Sequence, residues 1–454
     1  MKSAGLLITG NEVLSAKTKD TNGPFMGMHL RKIGMAVTAS MMCGDQESDL
    51  LDCLNYLAKK SDIILMTGGL GPTSDDLTAQ VVAKFFGVST VFNQEAWHSC
   101  SDFFIKAGRK EIPESNKKQA YLPVGCELLP NELGTAVGFS VTGEINGKIV
   151  KVYSMPGVPY EMEKMFLDSV LPVLEDRSFF PVTKYWQVFF MGESFMQNAI
   201  NDAEKDLLSK FPNSTVSYQA HPYYVSYSVT LFADSQNKKE QYEKYLSYEF
   251  NIQVEKAFKK HILYSEDKKV SPYIYQKLKE KNLSLSYVEM SNGGYIGKEF
   301  SSFTNDFSVF KGGVSNPSDI FLQNSFFIPK NKSENKFSEP DYFITTIALS
   351  VLKKTQSDIC ISEFGIPKEL HAENINDLAC YFFNISIVKE KLKDPHTVEK
   401  ELSNYGWKLF DISSHTETYN FSCSIKNNLR HSREIQQARA TLFLLCSLVK
   451  ILTY

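Results

Sequence analysis

Residues 63–78 read Ile63-Ile64-Leu65-Met66-Thr67-Gly68-Gly69-Leu70-Gly71-Pro72-Thr73-Ser74-Asp75-Asp76-Leu77-Thr78, and this stretch decides the fold. Its apolar opening reads as a strand buried on both faces, the kind found in a parallel sheet covered by helices. The texture then changes abruptly. Gly68, Gly69 and Gly71 allow a sharp turn and leave no side chains between its backbone N–H groups and a ligand. Pro72 suits the first position of a turn, Thr73 or Ser74 can cap, and Leu77, Val81, Val82, Phe85 and Phe86 recur at helical spacing. The order is therefore strand, glycine turn, helix. A helix N-terminus reached through glycines favours an anion through its free N–H groups and its dipole.

Asp75 and Asp76 run against that preference, because carboxylates in the predicted first helical turn repel the phosphate that the glycines favour. A divalent cation resolves the conflict by binding carboxylates and bridging phosphate oxygens. The plainer alternative is a capping arrangement over Thr73 to Asp76, with the aspartates complementing the dipole. The pair of aspartates after three glycines favours the functional reading.

Outward from this stretch, strands and helices alternate. Gly5 to Thr9 is a first strand, and Gly10-Asn11-Glu12 follows it as a polar loop. Asp20-Thr21-Asn22 can cap a helix carrying Phe25, Met26, Leu30 and Ile33, which Gly34 ends. Met35 to Met42 is a second strand, and Glu47 to Lys60 a helix with Leu50, Leu51, Leu54 and Leu57 on one side. Alternation of this kind predicts a parallel sheet with right-handed crossovers. Ligands of such sheets sit off the carboxyl ends of the strands. The Gly10-Asn11-Glu12 loop and the glycine turn share that edge, so Glu12 is a third carboxylate for the same metal, its alternative being a solvated loop residue.

The chain has 454 residues, enough for two to four domains, and is 43% hydrophobic, which is ample for packed cores. Net charge is −3 with basic residues scattered, so no electrostatic footprint for nucleic acid or an anionic membrane is visible. The eight cysteines include no Cys-x-x-Cys and the eight histidines no His-Glu-x-x-His, which predicts buried free thiols in a reducing compartment. The N-terminus enters a strand without a basic-then-apolar leader. The apolar run Thr441 to Tyr454 is interrupted by Lys450 and falls short of the ~20 residues of a membrane span. These features predict a soluble cytoplasmic protein.

Further turns carry polar side chains: Asn116-Lys117-Lys118-Gln119-Ala120, Asn131-Glu132-Leu133-Gly134-Thr135-Ala136-Val137-Gly138 and Met155-Pro156-Gly157-Val158-Pro159-Tyr160-Glu161-Met162. Singly, each is an ordinary turn. In this order, with Gly-Asn-Glu, Asp-Thr-Asn and the glycine turn before them, they resemble the CinA (competence/damage-inducible) family over Met1 to about residue 170. The resemblance implies a first domain, 1–170, similar to the MoaB/MogA molybdopterin-binding fold. It also implies an ADP-ribose pyrophosphatase activity that needs Mg²⁺, Mn²⁺ or Co²⁺. On this reading Asp75, Asp76 and Glu12 are catalytic, and Asp75 and Asp76 hold the metal. Gly10, Asn11, Thr67, Gly68, Gly69, Gly71, Thr73, Ser74, Asn131, Gly134, Thr135, Pro156 and Gly157 would contact the nucleotide. Two positions depart from the family: Asn11 stands where many relatives have Asp, and Val137 where Pro is usual.

After Pro181 the pattern shifts. Trp186 to Met191 reads as a strand, Glu193 to Lys210 as a helix, and Thr215 to Asp234 as strand residues broken near His221-Pro222. Val225, Tyr227, Val229 and Leu231 alternate with Ser226, Ser228 and Thr230, the sign of a half-buried antiparallel sheet. A helix from Gln236 to about Phe250 covers one side. This is similar to the small α+β middle domain of CinA proteins, 181–255. Tyr223 and Tyr224 can be read as a stacking platform, but without a basic stripe packing is the better reading.

From about Lys268 the chain resembles the α/β C-terminal CinA domain, 268–454, which in active relatives deamidates nicotinamide mononucleotide. Active members carry Ala-Glu-Ser-Cys-Thr-Gly-Gly after the strand that corresponds to Leu283 to Val288. Here the chain reads Val288-Glu289-Met290-Ser291-Asn292-Gly293-Gly294. Met290 stands in the serine's place, and a thioether can neither attack a carboxamide nor be activated by a base. Ser291 is one position late. The family's Tyr-Ser-Asn-x-x-Lys survives only as Ser315-Asn316-Pro317-Ser318-Asp319, and its Thr-Gly-x-Ala-Gly-Pro only as Glu363-Phe364-Gly365-Ile366-Pro367. These losses predict a domain that keeps its fold without the chemistry. Asn331 to Pro340 reads as an exposed loop. The helix from about Arg433 to Leu452 is expected to dock on the domain and offers a homodimer face.

Two functional readings follow: metal-dependent hydrolysis of a small nucleotide substrate in the first domain, or non-catalytic binding of a molybdopterin-like or nucleotide ligand in a regulatory module. A third, deamidation with Ser291 as substitute nucleophile, is disfavoured.

Overall fold

Strand β3 (Ile63–Thr67) is buried at every position, with Ile64, Leu65 and Met66 fully inaccessible. The computed structural model describes residues 3–109, 111–175, 180–326, 339–365, 379–410, 417–427 and 433–454. Around β3 lie β1 (Ser3–Thr9), β2 (Ala36–Cys43), β6 (Glu127–Leu129), β7 (Gly138–Ile145) and β8 (Lys148–Met155), in the order β2-β1-β3-β8-β7-β6. The strands β2, β1, β3 and β8 are parallel, while β7 pairs antiparallel with both β8 and β6, so the sheet is mixed at one edge rather than parallel throughout. The short connection at Asn146-Gly147, both with positive φ, forces the antiparallel return from β7 to β8. A ribbon of β4 (Thr90–Phe92) and β5 (Tyr121–Pro123) stands apart from this sheet.

Both faces of the sheet are covered. Leu50, Leu54 and Leu57 of the helix Glu47–Lys60 pack with Leu7, Ile64 and Met66 on one face, while Met26 and Leu30 of the helix Asn22–Lys32 pack with Ile8 and Leu65 on the other. The continuous apolar run of β3 is thus explained by helices on both sides. Two predicted boundaries shift. Asn11–Leu14 forms a short helix where a loop was expected, and Gly10 turns into it with φ 146. The helix after the glycine turn starts at Thr78, so Asp75 and Asp76 precede it instead of forming its first turn.

The described residues form two compact units, Met1–Val182 with Phe232–Tyr242, and Thr183–Leu231 with Glu243–Tyr454. The second unit contains a four-stranded sheet of β9 (Phe180–Phe189), β10 (Thr215–His221), β11 (Tyr224–Ala233) and β12 (Ile262–Tyr264), in the order β10-β11-β9-β12. Its β10–β11 hairpin is antiparallel, as the alternation predicts, and the following helix breaks at Tyr248 into Gln236–Ser247 and Glu249–Phe258. Tyr224 is buried in the core, which bears out packing for that residue, while Tyr223 is half-buried against the same core.

A third sheet joins β13 (Leu285–Glu289), β14 (Phe310–Ser315), β15 (Ile359–Gly365), β16 (Ala379–Val388), β17 (Lys408–Leu409) and β18 (Thr418–Asn427), in the order β14-β13-β15-β16-β18-β17. The helix Arg433–Leu452 packs Phe443, Leu444 and Leu448 into this core. Its segment Glu434–Leu452 is long and apolar enough to cross a membrane by length and composition, yet 67% of it is buried in protein, as in a core helix. Residues 331–338 of the expected loop and 366–367 of the expected glycine loop lie outside the described residues. No disulfide joins any of the eight cysteines.

Truncating the side chain at the centre of β3, Leu65→Ala, is expected to lower unfolding free energy by about 2–5 kcal/mol, as a cavity in a well-packed core does. A denaturant midpoint unchanged from the wild type would contradict the role given to this strand.

Candidate functional site

The glycine turn is held by a close approach that only glycine tolerates. Gly68 has φ 106, and a Cβ there would lie 2.3 Å from the backbone oxygen of Thr9 at the end of β1. Gly68 donates its N–H to Met155 O at 3.0 Å, Thr78 Oγ1 donates to Gly68 O at 2.7 Å, and Thr78 N–H donates to Gly69 O at 3.1 Å. With its N–H and hydroxyl committed to the turn, Thr78 sets the helix start that displaces the predicted one. Gly69, Leu70 and Gly71 keep N–H groups that donate to no acceptor among the described residues.

The distant motifs brace the same turn. Gln119 Nε2 donates to Leu70 O at 3.1 Å, and Lys118 Nζ donates to Thr73 O. Asn22 Nδ2 donates to Thr67 Oγ1 and to Gly157 O, both at 2.9 Å, and Thr67 Oγ1 donates to Pro156 O at 2.7 Å. Asn131 Nδ2 donates to Glu161 Oε2 at 2.7 Å and to Ala136 O at 2.8 Å. A Cβ on Gly134 would meet Glu161 Oε2 at 2.0 Å, so the glycine there makes room for that carboxylate.

These elements enclose a cleft of about 330 Å³ at the carboxyl ends of the parallel strands. Of the predicted residues, Gly10, Glu12, Gly68, Gly69, Gly71, Asp75, Asp76, Thr135, Pro156 and Gly157 line it. Thr67, Asn131 and Gly134 stand behind the wall as braces, Thr73 and Ser74 lie exposed outside it, and Asn11 turns its amide toward Asp45 N–H at 3.4 Å. Asp45, Gln119 and Glu161 line the cleft without having been named as site residues. Gln119 and Glu161 sat inside quoted motifs, whereas Asp45 had no signal beyond following β2. It accepts from Thr9 Oγ1 and from Asn11 N–H, each at 2.9 Å.

The cleft is acidic. Glu12, Asp45, Asp75, Asp76 and Glu161 line it, and no lysine, arginine or histidine is among its lining residues. Asp75 and Asp76 both accept from Thr73 Oγ1 at 2.5 Å, and Asp76 also accepts from Thr73 N–H at 2.8 Å. The Thr73 hydroxyl, then its own backbone N–H and the Lys118 charge, hold the Asp75 carboxyl below its ordinary range. This local bonding is the capping alternative, realised ahead of the helix. Among the described residues no three His, Cys, Asp or Glu side chains come together as a metal cluster, so Glu12 shares the cleft with Asp75 and Asp76 without joining them in one.

In the second unit, the turn after β13 has a different occupant from the one expected. Glu363 of β15 lies beside Glu289 of β13 in parallel register, and both are fully buried. The Glu363 carboxylate accepts from Ser291 N–H at 2.8 Å, Ser291 Oγ at 2.5 Å and Asn292 N–H at 2.8 Å. Ser291 Oγ also accepts from Gly365 N–H at 2.8 Å, so this hydroxyl ties two strand ends together. Glu289 accepts from Ile296 N–H at 2.8 Å and Ser315 Oγ at 3.1 Å. Met290 is half-buried against an apolar cluster, and Asp319 opens the helix Asp319–Phe326. Burial pushes the Glu363 carboxyl up to about 7 against the pull of its hydrogen bonds, and burial raises Glu289 as well.

Comparison with known proteins bears on the whole chain. Residues 5–176 match the family model described as "Probable molybdopterin binding domain". A protein of Acetivibrio thermocellus named "Putative competence-damage inducible protein" is 31% identical over 367 residues, covering 80% of this chain and 85% of its own. This chain belongs to the competence-damage inducible (CinA) family. Among solved structures, the CinA protein of Thermoplasma acidophilum aligns at 31% identity and a TM-score of 0.33, over 37% of this chain and 94% of its own. The tungsten cofactor synthesizing protein MoaB of Pyrococcus furiosus aligns at 15% identity and a TM-score of 0.27, over 38% and 95%. The first unit of this CinA-family chain contains a molybdopterin-binding-like domain.

Because folding raises the Glu363 carboxyl from about 4.5 to about 7, the folded state binds the extra proton between those values. Its contribution to stability is present below the lower value and is lost as pH rises through the upper one. The denaturant midpoint of the wild type is therefore expected to fall relative to Glu363→Gln between pH 5 and pH 8. Parallel profiles would show that Glu363 titrates normally.

Proposed function

We propose that the first unit hydrolyses the diphosphate of ADP-ribose, with a divalent ion held at Asp75 and Asp76. The observation that carries the site is an acidic cleft lined by Gly69, Leu70 and Gly71, whose N–H groups have no acceptor among the described residues. The choice of ADP-ribose rests on the CinA family resemblance. Donors for a phosphate beside carboxylates that repel it fit a ligand that arrives with a cation. The carboxylate oxygens of Asp75 and Asp76 are hard donors suited to Mg²⁺, Mn²⁺ or Co²⁺, and Mg²⁺ commonly takes one or two carboxylates together with substrate phosphates. When bound, the ion offsets phosphate charge and favours attack on phosphorus.

The chain's own residues have separate tasks. The N–H groups of Gly69 to Gly71 bind phosphate oxygens, while Gln119 holds that backbone at Leu70 O and Lys118 holds the turn further on at Thr73 O. Water adds its oxygen to one phosphorus as the bond from that phosphorus to the bridging oxygen breaks. Its proton passes to a cleft carboxylate, the role assigned to Glu12, and the products are AMP and ribose 5-phosphate.

In the second unit, deamidation of nicotinamide mononucleotide is taken to be lost. Met290 offers no nucleophile, and the Ser291 hydroxyl is spent on Glu363 and Gly365. A second reading, binding of a molybdopterin-like or nucleotide ligand without turnover, is favoured by the engagement of Asp75 and Asp76 with Thr73.

Purified protein given ADP-ribose with Mg²⁺, Mn²⁺ or Co²⁺ is expected to release AMP, and Asp76→Asn to lose at least about 100-fold of that rate. Ligand-induced thermal stabilisation without AMP release under any of these metals would overturn hydrolysis in favour of binding alone.

A further inference from the structure

We propose that Phe190, Tyr223 and Arg439, all in the second unit, form a binding site for a planar aromatic ring that carries an anionic group. Phe190 follows β9 and Tyr223 lies in the turn between β10 and β11, with φ 55 and φ 68 respectively. Bulky side chains avoid this backbone region, and residues held there cluster at functional positions. The two are locked together, since Phe190 N–H donates to Tyr223 O at 2.7 Å. Their rings are parallel within 4°, with centroids 6.1 Å apart. Phe443 packs against both rings and Tyr405 against Phe190, so the pair is fixed from the core side. Phe190 nonetheless remains 47% exposed.

The third member is a cation without an anion. The Arg439 guanidinium stands 5.1 Å from the centroid of the Tyr223 ring. Its Nε is buried with no hydrogen-bond acceptor, and no carboxylate pairs with Arg439 among the described residues. A half-buried guanidinium with unspent donors matches the planar, two-oxygen edge of a carboxylate or phosphate. Packing explains why Tyr223 covers Phe443. It does not explain a left-handed phenylalanine with a half-exposed ring, stacked with a tyrosine whose ring carries an arginine that has no acceptor for its Nε among the described residues. Without a basic stripe around it, the site fits one ring and one anionic group instead of a nucleic-acid strand.

The test uses the full chain and three probes that separate the two recognition elements: AMP carries ring and anion, adenosine the ring alone, and inorganic phosphate the anion alone. By calorimetry, the wild type is expected to bind one more equivalent of AMP than Arg439→Gln, or to bind that equivalent at least about tenfold more tightly, the loss typical of a charged hydrogen-bonded pair. Adenosine binding should differ by less than about twofold between the two proteins, and phosphate alone should bind more weakly than AMP. Phe190→Leu should weaken AMP and adenosine together. Arg439→Lys, which keeps the charge without the fork, should fall between and supplies the reading if the glutamine variant does not fold. Equal AMP stoichiometry and affinity in the wild type and the Arg439 variants would overturn the proposal, as would phosphate binding as tightly as AMP.

Discussion

The contact between Gly68 and the Thr9 carbonyl governs the first unit. It joins the ends of two neighbouring parallel strands at a distance that excludes any side chain, and the residues that follow Gly68 line the cleft. Each bond that braces this turn is worth only about 0.5–1.5 kcal/mol net. Their value lies in number and convergence, because three separate parts of the chain, Met155, Thr78 and the Lys118-Gln119 pair, hold peptide groups between Gly68 and Thr73. A turn held in this way keeps its N–H groups aimed without the cost of ordering them when a ligand arrives.

Electrostatics then decides what such a turn can bind. Like charges repel, and solvent weakens that repulsion at exposed groups without removing it. A phosphate among Glu12, Asp45, Asp75, Asp76 and Glu161 meets several such terms, more than a few backbone donors offset. On the proposed function, the cleft suits a phosphate that brings a cation and disfavours one that does not. The second unit shows the opposite solution at the turn after β13, where the protein's own Glu363 occupies the backbone donors of Ser291 and Asn292.

Much of this was legible in the residues. The apolar run of β3 announced a strand covered on both faces, and the helices Glu47–Lys60, Glu193–Lys210 and Arg433–Leu452 match their apolar periodicity end to end. The motifs led to the right place, but several residues proved to be braces instead of cleft walls. Asn131 and Thr67 turn their polar atoms into the protein, which spacing alone cannot distinguish from facing a ligand. The helix start was misplaced because Thr78 spends its N–H and hydroxyl on carbonyls of the glycine turn, a tertiary effect that capping preferences do not contain. Strand β7 runs against β8 through a two-residue hairpin at Asn146-Gly147, a signal present in the sequence. Asp45 and the Ser291–Glu363 tie join segments 34 and 72 residues apart, and no local pattern reports such pairings.

The central claim is that the acidic cleft accepts a diphosphate only together with a divalent cation. Titration of ADP-ribose into the purified protein by calorimetry, once with excess Mg²⁺ and once with chelator, tests it directly. The account predicts an affinity at least about tenfold higher with the metal, and loss of that difference in Asp75→Asn and Asp76→Asn. Equal affinity with and without metal would contradict it.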